Sequence, residues 1–465
     1  MWRKNELYMD NNEISQIKVS IILPSLNVVS YIQECIESVI AQTMQEIEIL
    51  CIDAGSTDGT LEIIENYALK DERIRILRSD KKSYGYQLNI GIREAKGQYI
   101  GIVETDDYIA PSMYEILYYW AERNNDPDFV KSGYHCFAEI EERKFFYEYN
   151  RDRLTELFHS RLNLKDKREA GVIDLNHIWS GIYRRDFLLR KNILLHETPG
   201  ASYQDVSFSL LVGLLADTGV YIKQGYYFYR TDNEHSSVKS VEKWKYVIEE
   251  FRYVERELTK RGMWSDEIEG LIWEQKLQIY VWNLLRLSEK ERNDFLLEVE
   301  QELKTYQEKI LYLKHTDKEL ERYVALLMER AALEHYFIEK QELMEKIEQL
   351  STMVKAGENF VLISAGRYGE RILLFQSMLA KTFVQAVADN NAERRGSDWN
   401  GYVVLSIEEA VRRYRDNFFI IANKNYSKEL QKQLFDLGIN QEKIIIFSDM
   451  LSMEEIIGWI KKENR

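Results

Sequence analysis

Short apolar runs, each ending in a polar loop, recur through the first hundred positions of this chain. Lys18-Val19-Ser20-Ile21-Ile22-Leu23 stops at Pro24. Ile47-Glu48-Ile49-Leu50-Cys51-Ile52 ends at Asp53, and Gln98-Tyr99-Ile100-Gly101-Ile102-Val103 runs into Glu104-Thr105-Asp106-Asp107. Such runs, bounded by turn residues, are the pattern of strands buried on both faces. Between them the apolar spacing changes to three and four. It predicts helices over about Tyr31 to Gln42, Thr60 to Leu69 and Asn89 to Ala95, with another strand at Ile74 to Leu77. This βαβαβ alternation predicts an α/β fold, with a largely parallel sheet and helices on both faces. In such sheets ligands bind beyond the carboxyl ends of the strands. Pro24-Ser25-Leu26-Asn27, Asp53-Ala54-Gly55-Ser56 and Glu104-Thr105-Asp106-Asp107 all fall there. Three loops far apart in sequence are thus expected on one sheet edge.

The acidic loop stands out among them. Three carboxylates arrive within four positions, with Pro111 just beyond. Clustered carboxylates at a buried strand end are costly unless a cation or partner neutralises them. Hard divalent ions such as Mg²⁺ and Mn²⁺ take oxygen ligands of this kind and hold diphosphates with them. A plain acidic turn is the other reading, because Asp is a common turn residue.

The 465 residues allow two or three domains, and the net charge of -15 argues against general affinity for nucleic acid or anionic lipid. Cys35, Cys51 and Cys136 are odd in number and irregularly spaced. They suggest a reducing compartment without a disulfide framework or zinc site. The polar start lacks a secretory pattern, and no apolar run is long enough to span a bilayer. A soluble, cytoplasmic protein is expected, with any membrane contact peripheral and at the inner face. The breakers divide the chain. All four prolines lie in the first 200 residues, and neither Gly nor Pro occurs from Leu271 to Ala356. The expected organisation is a polar tail over 1–16, an α/β domain over 17–238, a helical region over 239–356 and a second α/β domain over 357–465.

The first region resembles a family 2 glycosyltransferase of the GT-A fold. The resemblance is carried by Ser20-Ile21-Ile22-Leu23-Pro24-Ser25-Leu26-Asn27, Gln42-Thr43, Asp53-Ala54-Gly55-Ser56-Thr57-Asp58-Gly59-Thr60, Asn89-Ile90-Gly91, Ala95-Lys96-Gly97-Gln98-Tyr99-Ile100 and Glu104-Thr105-Asp106-Asp107. It implies a nucleotide-diphosphate sugar donor, a UDP-sugar being favoured, with Mn²⁺ or Mg²⁺ as cofactor. It places Pro24, Ser25, Asn27, Asp53, Gly55, Ser56, Asp58, Lys82, Asn89, Glu104, Asp106 and Arg230 at the donor. Asp106 and Asp107, with His235, are the expected metal ligands. Asp53 either contacts the nucleotide or caps its loop. Lys81 and Lys82 either meet the diphosphate or form a solvated pair. Leu26 and Ala54 depart from the family pattern, where Tyr and Asp are usual, and leave the base undetermined.

Transfer to a hydroxyl needs a general base. In Ser202-Tyr203-Gln204-Asp205-Val206 the resemblance points to Asp205, with inversion at the anomeric carbon. Tyr203, Gln204 and Trp179 are the acceptor-site expectations, although Trp179 fits a core equally well. The acceptor is expected to be a glycan or lipid-linked glycan in surface-polysaccharide or glycoconjugate synthesis. A noncatalytic sugar-nucleotide sensor is the alternative prompted by Ala54 and Gln204. A sugar nucleotidyltransferase would need a Gly-rich phosphate loop that Pro24-Ser25-Leu26-Asn27 does not supply.

In the last region, Asn359 to Ile363 is an expected strand and Ser364-Ala365-Gly366-Arg367-Tyr368-Gly369 opens a helix through Leu379. Phe383 to Ala388 is a second strand, ending at Asp389. This resembles a Rossmann-like unit whose first glycine is Ser364. It makes Gly366, Tyr368, Gly369 and Asp389 a candidate ligand site, with Asp389 in the ribose-binding position. A binding, regulatory or assembly module is favoured over a second enzyme, with self-association through this or the helical region.

Overall fold

A computed structural model describes residues 17–140, 142–148, 157–165, 177–234, 236, 243–305, 318–449, 456–457 and 459–460. The chain divides into two compact units, Met1–Phe137 with Phe146–Met328, and Ala138–Phe145 with Glu329–Arg465.

The first unit opens with β1 (Val19–Ser25), α1 (Ile32–Ile40), β2 (Ile47–Asp53), α2 (Thr60–Ala68), β3 (Ile74–Arg78), α3 (Tyr84–Glu94) and β4 (Tyr99–Ile102). Every residue of β1 and β2 is buried, as strands covered on both faces require. α1 buries Ile32, Cys35, Ile36 and Val39, the single stripe of an amphipathic helix. α3 starts five residues before its expected beginning at Asn89. The Ser83 hydroxyl accepts from the Tyr86 amide and so caps the helix at Tyr84.

Next come β5 (Tyr108–Ile109), α4 (Met113–Arg123), β6 (Phe129–Ile140), β7 (Arg143–Glu148), β8 (Leu162–Asn163), β9 (Gly181–Arg184), α5 (Arg185–Arg190), α6 (Gln204–Leu215) and β10 (Thr218–Arg230). The sheet runs in the order β3-β2-β1-β4-β9-β6-β10-β5. Strands β3, β2, β1 and β4 are parallel, as the alternation predicts. β9 then enters antiparallel to both β4 and β6, so the other half of the sheet is mixed. Among the described residues, α7 (Trp244–Lys260), α8 (Asp266–Arg286), α9 (Glu289–Thr305) and α10 (Lys318–Met328) follow in the same unit. α7 packs against α6. No helix among the described residues is long and apolar enough to cross a membrane.

The second unit contains α11 (Arg330–Lys355), β11 (Phe360–Ile363), α12 (Arg367–Met378), β12 (Val384–Ala388), β13 (Asp398–Trp399), β14 (Tyr402–Leu405), α13 (Ile407–Arg413), β15 (Phe418–Ala422), α14 (Ser427–Asp436) and β16 (Ile444–Phe447). Its sheet has the order β13-β14-β12-β11-β15-β16. The strands from β14 to β16 are parallel, and the chain reverses direction across the sheet between β11 and β15.

Candidate active site

The carboxyl ends of β1, β2 and β3 are level, since Ser25 pairs with Asp53 and Asp53 with Arg78. The Thr105 hydroxyl donates to the Pro24 carbonyl at 2.9 Å, which draws the acidic loop after β4 to the same edge. The three loops therefore meet, as expected. The first two are also laced together. The Asn27 amide donates to the Ser56 hydroxyl at 3.0 Å, and the Thr57 amide donates to the Asn27 side-chain oxygen at 2.9 Å. The Val29 amide donates to Asp58 Oδ2 at 3.0 Å. Asn27 adopts φ 55° and Gly55 φ 83°, the left-handed conformation that lets both loops turn this tightly.

Several expected donor contacts prove to be the scaffolding of that cradle. Asp53 is fully buried, and its Oδ1 accepts from the Gly55 and Ser56 amides at 3.0 and 3.1 Å. It caps its loop. Asp58 spends both oxygens on Val29 and Thr60. Pro24 and Ser25 are buried in β1. Gly55 is exposed and Ser56 half-buried on the open side of the loop. Asn89 does not reach the edge. Its amide nitrogen donates to the Leu195 carbonyl and its oxygen accepts from the Leu195 amide, both at 2.9 Å. The side chain of Lys82 is exposed, while Lys81 is paired with Glu197 at 3.1 Å.

The acidic loop separates its members by partner. Asp107 is 2 % exposed; its Oδ2 accepts from the Tyr227 hydroxyl at 2.7 Å and its Oδ1 from the Arg230 amide at 2.6 Å. Both oxygens hold β10, which corrects the expectation that Asp107 is a metal ligand. Arg230 is likewise committed. Its guanidinium bonds the Asp106 carbonyl and Glu34 and lies over the Tyr31 and Phe137 rings. It does not reach out to a diphosphate. Glu104 and Asp106 remain at the edge. Glu104 accepts from the Tyr84 hydroxyl and Asp106 from the Asn233 amide at 2.8 Å. Burial, followed by the charges of Asp106 and Asp205, pushes Glu104 up to about 8 despite the Tyr84 bond. Burial also raises Asp106. His235 lies outside the described residues.

Asp205 lies in the first turn of α6. α6 begins behind Tyr203, whose φ of 64° swings the chain into the helix. Every residue of α6 except Asp205 is buried, so the helix opens to the surroundings only through that carboxylate. Burial pushes Asp205 up to about 6, with Glu250 also raising it and Lys131 opposing. Gln204 turns inward instead, donating to Thr198 Oγ1 at 2.7 Å and to the Gly200 carbonyl at 3.0 Å. Trp179 is 7% exposed and stacks on Tyr227 and Tyr229. Gln204 and Trp179 are thus a loop clamp and a core residue, not acceptor contacts.

The loop before α6 is held from both sides. The Tyr84 amide donates to the Gly200 carbonyl at 3.0 Å and the Gly200 amide to the Lys82 carbonyl at 2.8 Å. Gly85 permits this approach, because a β-carbon there would stand 2.2 Å from the His196 carbonyl oxygen. From α7, the fully buried Glu250 lies 3.0 Å from His196 Nδ1, and burial raises its carboxyl. Lys243 donates to the Ala201 carbonyl at 2.9 Å. Tyr84 and Glu250 were not singled out from sequence. The cap signal of Ser83 marks the helix that presents Tyr84, whereas no local pattern distinguishes Glu250 from its solvated neighbours.

In the second unit, Asp389 accepts from the Ala365 amide with Oδ2 and from the Asn391 amide with Oδ1, both at 2.8 Å. Its carboxylate ties the β11 and β12 ends together. Gly369 lets α12 close on β11, since a β-carbon there would stand 2.5 Å from the Ser364 carbonyl oxygen. Gly366 caps α12 and Tyr368 lies half-buried in its first turn.

A family model described as "Glycosyl transferase family 2" matches residues 20–189. GlyG, a glycosyltransferase of Streptococcus pneumoniae serotype 4, is 33% identical over 218 residues, which are 46% of this chain and 70% of GlyG. The chain belongs to glycosyltransferase family 2. EpsJ of Bacillus subtilis, described as an uncharacterized glycosyltransferase, is also 33% identical, over 46% of this chain and 60% of EpsJ. The chain thus spans 70% of GlyG and 60% of EpsJ. Staphylococcus aureus TarS 1-349, solved in complex with UDP-GlcNAc, superposes at a TM-score of 0.48 with 19% identity, covering 60% of this chain and 78% of TarS 1-349. A separate model, "C2185-like, N-terminal", matches residues 365–445 in the second unit.

Proposed function

We propose that this family 2 chain transfers a sugar from a nucleotide-diphosphate sugar to an acceptor hydroxyl, with Asp205 as general base and inversion at the anomeric carbon. One observation carries the reading. The only residue of α6 that is not buried is a carboxylate, and its charge reaches the acidic loop, where it raises Glu104. In that arrangement the laced loops of Asn27 and Ser56 bind the nucleotide and align its diphosphate with the acidic loop. Asp205 takes the acceptor proton as the acceptor oxygen bonds the anomeric carbon. The bond from that carbon to the diphosphate breaks on the far side, and the nucleoside diphosphate leaves with the electron pair.

A divalent ion, Mn²⁺ or Mg²⁺, suits this donor set. No group of three or more metal-binding side chains occurs among the described residues. Glu104 and Asp106 alone fit ions that are held by one or two carboxylates and completed by substrate phosphates. Bound there, the ion would neutralise charge developing on the leaving diphosphate. The partners that follow are a UDP-sugar and a glycan or lipid-linked acceptor in surface-polysaccharide synthesis, met at the cytoplasmic face of a membrane. The second unit is proposed as a binding or assembly module.

Calorimetric titration of the protein with UDP- and GDP-sugars, with and without Mn²⁺, tests the reading. One donor is expected to bind in a metal-dependent way. Asp205→Asn is expected to keep that binding and lose transfer by about 10²-fold or more. Binding that ignored Mn²⁺, or an active Asp205→Asn enzyme, would overturn it.

A further inference from the structure

The last turns of α8 bring to the base loop a set of side chains that the sheet does not use. Trp282 is 39% exposed, on a helix whose other large side chains are mostly buried. The Tyr203 ring stands edge-on to it, at 6.4 Å and 82°, and the Tyr203 hydroxyl donates to Asn283 Oδ1 at 2.5 Å. The Arg286 guanidinium lies 3.9 Å from the centroid of the Trp282 ring. Its Nη1 is shielded from solvent and makes no hydrogen bond among the described residues. Tyr203 is two positions from Asp205, and the electrostatics agree with that closeness. After burial, the influences on its phenol include Arg286, whose charge and hydrogen bond lower it, and Asp205, which raises it.

Each component has a chemical meaning. Sugar rings present apolar faces that pack on aromatic side chains, and Trp offers the largest such surface. A guanidinium held on an indole keeps its N–H fork pre-organised for a carboxylate or phosphate. A shielded N–H without an acceptor is costly and is relieved by an anionic ligand. We propose that Tyr203, Trp282 and Arg286 form the acceptor subsite, and that the acceptor carries an anionic group beside the sugar that receives the transfer. This rests on the reading of Asp205 as the base. It also gives α8 a direct part in recognition.

The experiment is saturation-transfer NMR on the full chain with three probes, methyl β-glucoside, methyl β-glucuronide and glucose 1-phosphate, each with and without saturating UDP and Mn²⁺. An anionic probe is expected to bind about tenfold more tightly than the neutral one. Preference for glucose 1-phosphate assigns a phosphate, and preference for the glucuronide a carboxylate. Arg286→Gln should erase the preference and leave methyl β-glucoside unchanged. Trp282→Ala should weaken all three probes, and Trp282→Phe should restore them in part. UDP affinity by calorimetry should be the same in every variant, which shows that each is folded. Equal binding of charged and neutral probes, or a preference that survives Arg286→Gln, would overturn the proposal. A wild-type protein that ignored UDP would instead sink the donor reading, because the probe contrast is also read without UDP.

Discussion

Asp106 and Asp107 are adjacent in the chain and have different surroundings. Asp107 anchors β10 through Tyr227 and Arg230, whereas Asp106 is half-buried at the sheet edge. Asp107→Ala leaves a buried hydroxyl and a buried amide without acceptors, a loss of about 1–3 kcal/mol for each in urea unfolding. Asp106→Ala is expected to change stability by less than about 1 kcal/mol and to abolish metal-dependent donor binding. Equal destabilisation by the two would refute the distinction. The edge itself was legible in sequence, because a strand end and its loop are local features. The division of labour was not, since Tyr227 lies 120 positions from Asp107. Asp205 gives a further prediction at this scale. Its carboxyl is raised from 3.8 to about 6, chiefly by burial. The deprotonated base is therefore present above about pH 6, and kcat/KM is expected to fall tenfold per pH unit below it. Stability runs the opposite way with pH. A raised carboxyl favours the folded state most below 3.8, and that contribution is lost as pH rises through about 6. A pH–rate profile flat from 5 to 7 would remove Asp205 from the proton transfer.

At the scale of elements, helical spacing in 239–356 identified helices without revealing what they pack against. A boundary at 238 was expected, yet α7 and α8 lie in the same compact unit as the sheet. They grip the base loop through Lys243, Glu250 and Asn283. Periodicity marks which face of a helix is apolar, and a buried Glu on that face reads as an interruption. Glu250 is nevertheless fully buried, against His196 and Thr198. Glu250→Ala removes the acceptor of both groups and is expected to cost about 1–3 kcal/mol. The loop that it holds leads into Asp205, so transfer should fall more than UDP affinity does. Transfer rate and UDP titration on one preparation check this, and equal losses in both would argue for general unfolding instead. The start of α3 makes the converse point. Ser83 is a standard cap signal, and reading it would have set the start of α3 at Tyr84 from sequence.

At the scale of the whole molecule, the described residues form two sheets with separate cores. One is built around Ile21, Ile49, Tyr99, Val130 and Tyr227, the other around Val361, Ala388, Phe419, Ile421 and Leu434. The α/β class of each was legible because parallel strands are short apolar runs. The antiparallel entry of β9 was not, since it is set by pairing with β4 and β6. Separate cores lead to separate unfolding, and binding at the edge of one sheet should stabilise that unit alone. A ligand that binds only the folded state adds about 2.7 kcal/mol at a hundredfold excess over its Kd. Calorimetry of the full chain is therefore expected to show two transitions, only one of which rises with UDP and Mn²⁺. Phe419 identifies the other, being fully buried in the second core. Phe419→Ala should lower the UDP-insensitive transition, at a cost of about 3–5 kcal/mol, and leave the UDP-sensitive one in place. If the substitution instead lowered the UDP-sensitive transition by a similar amount, the two units would be unfolding as one, and donor binding would be felt throughout the chain.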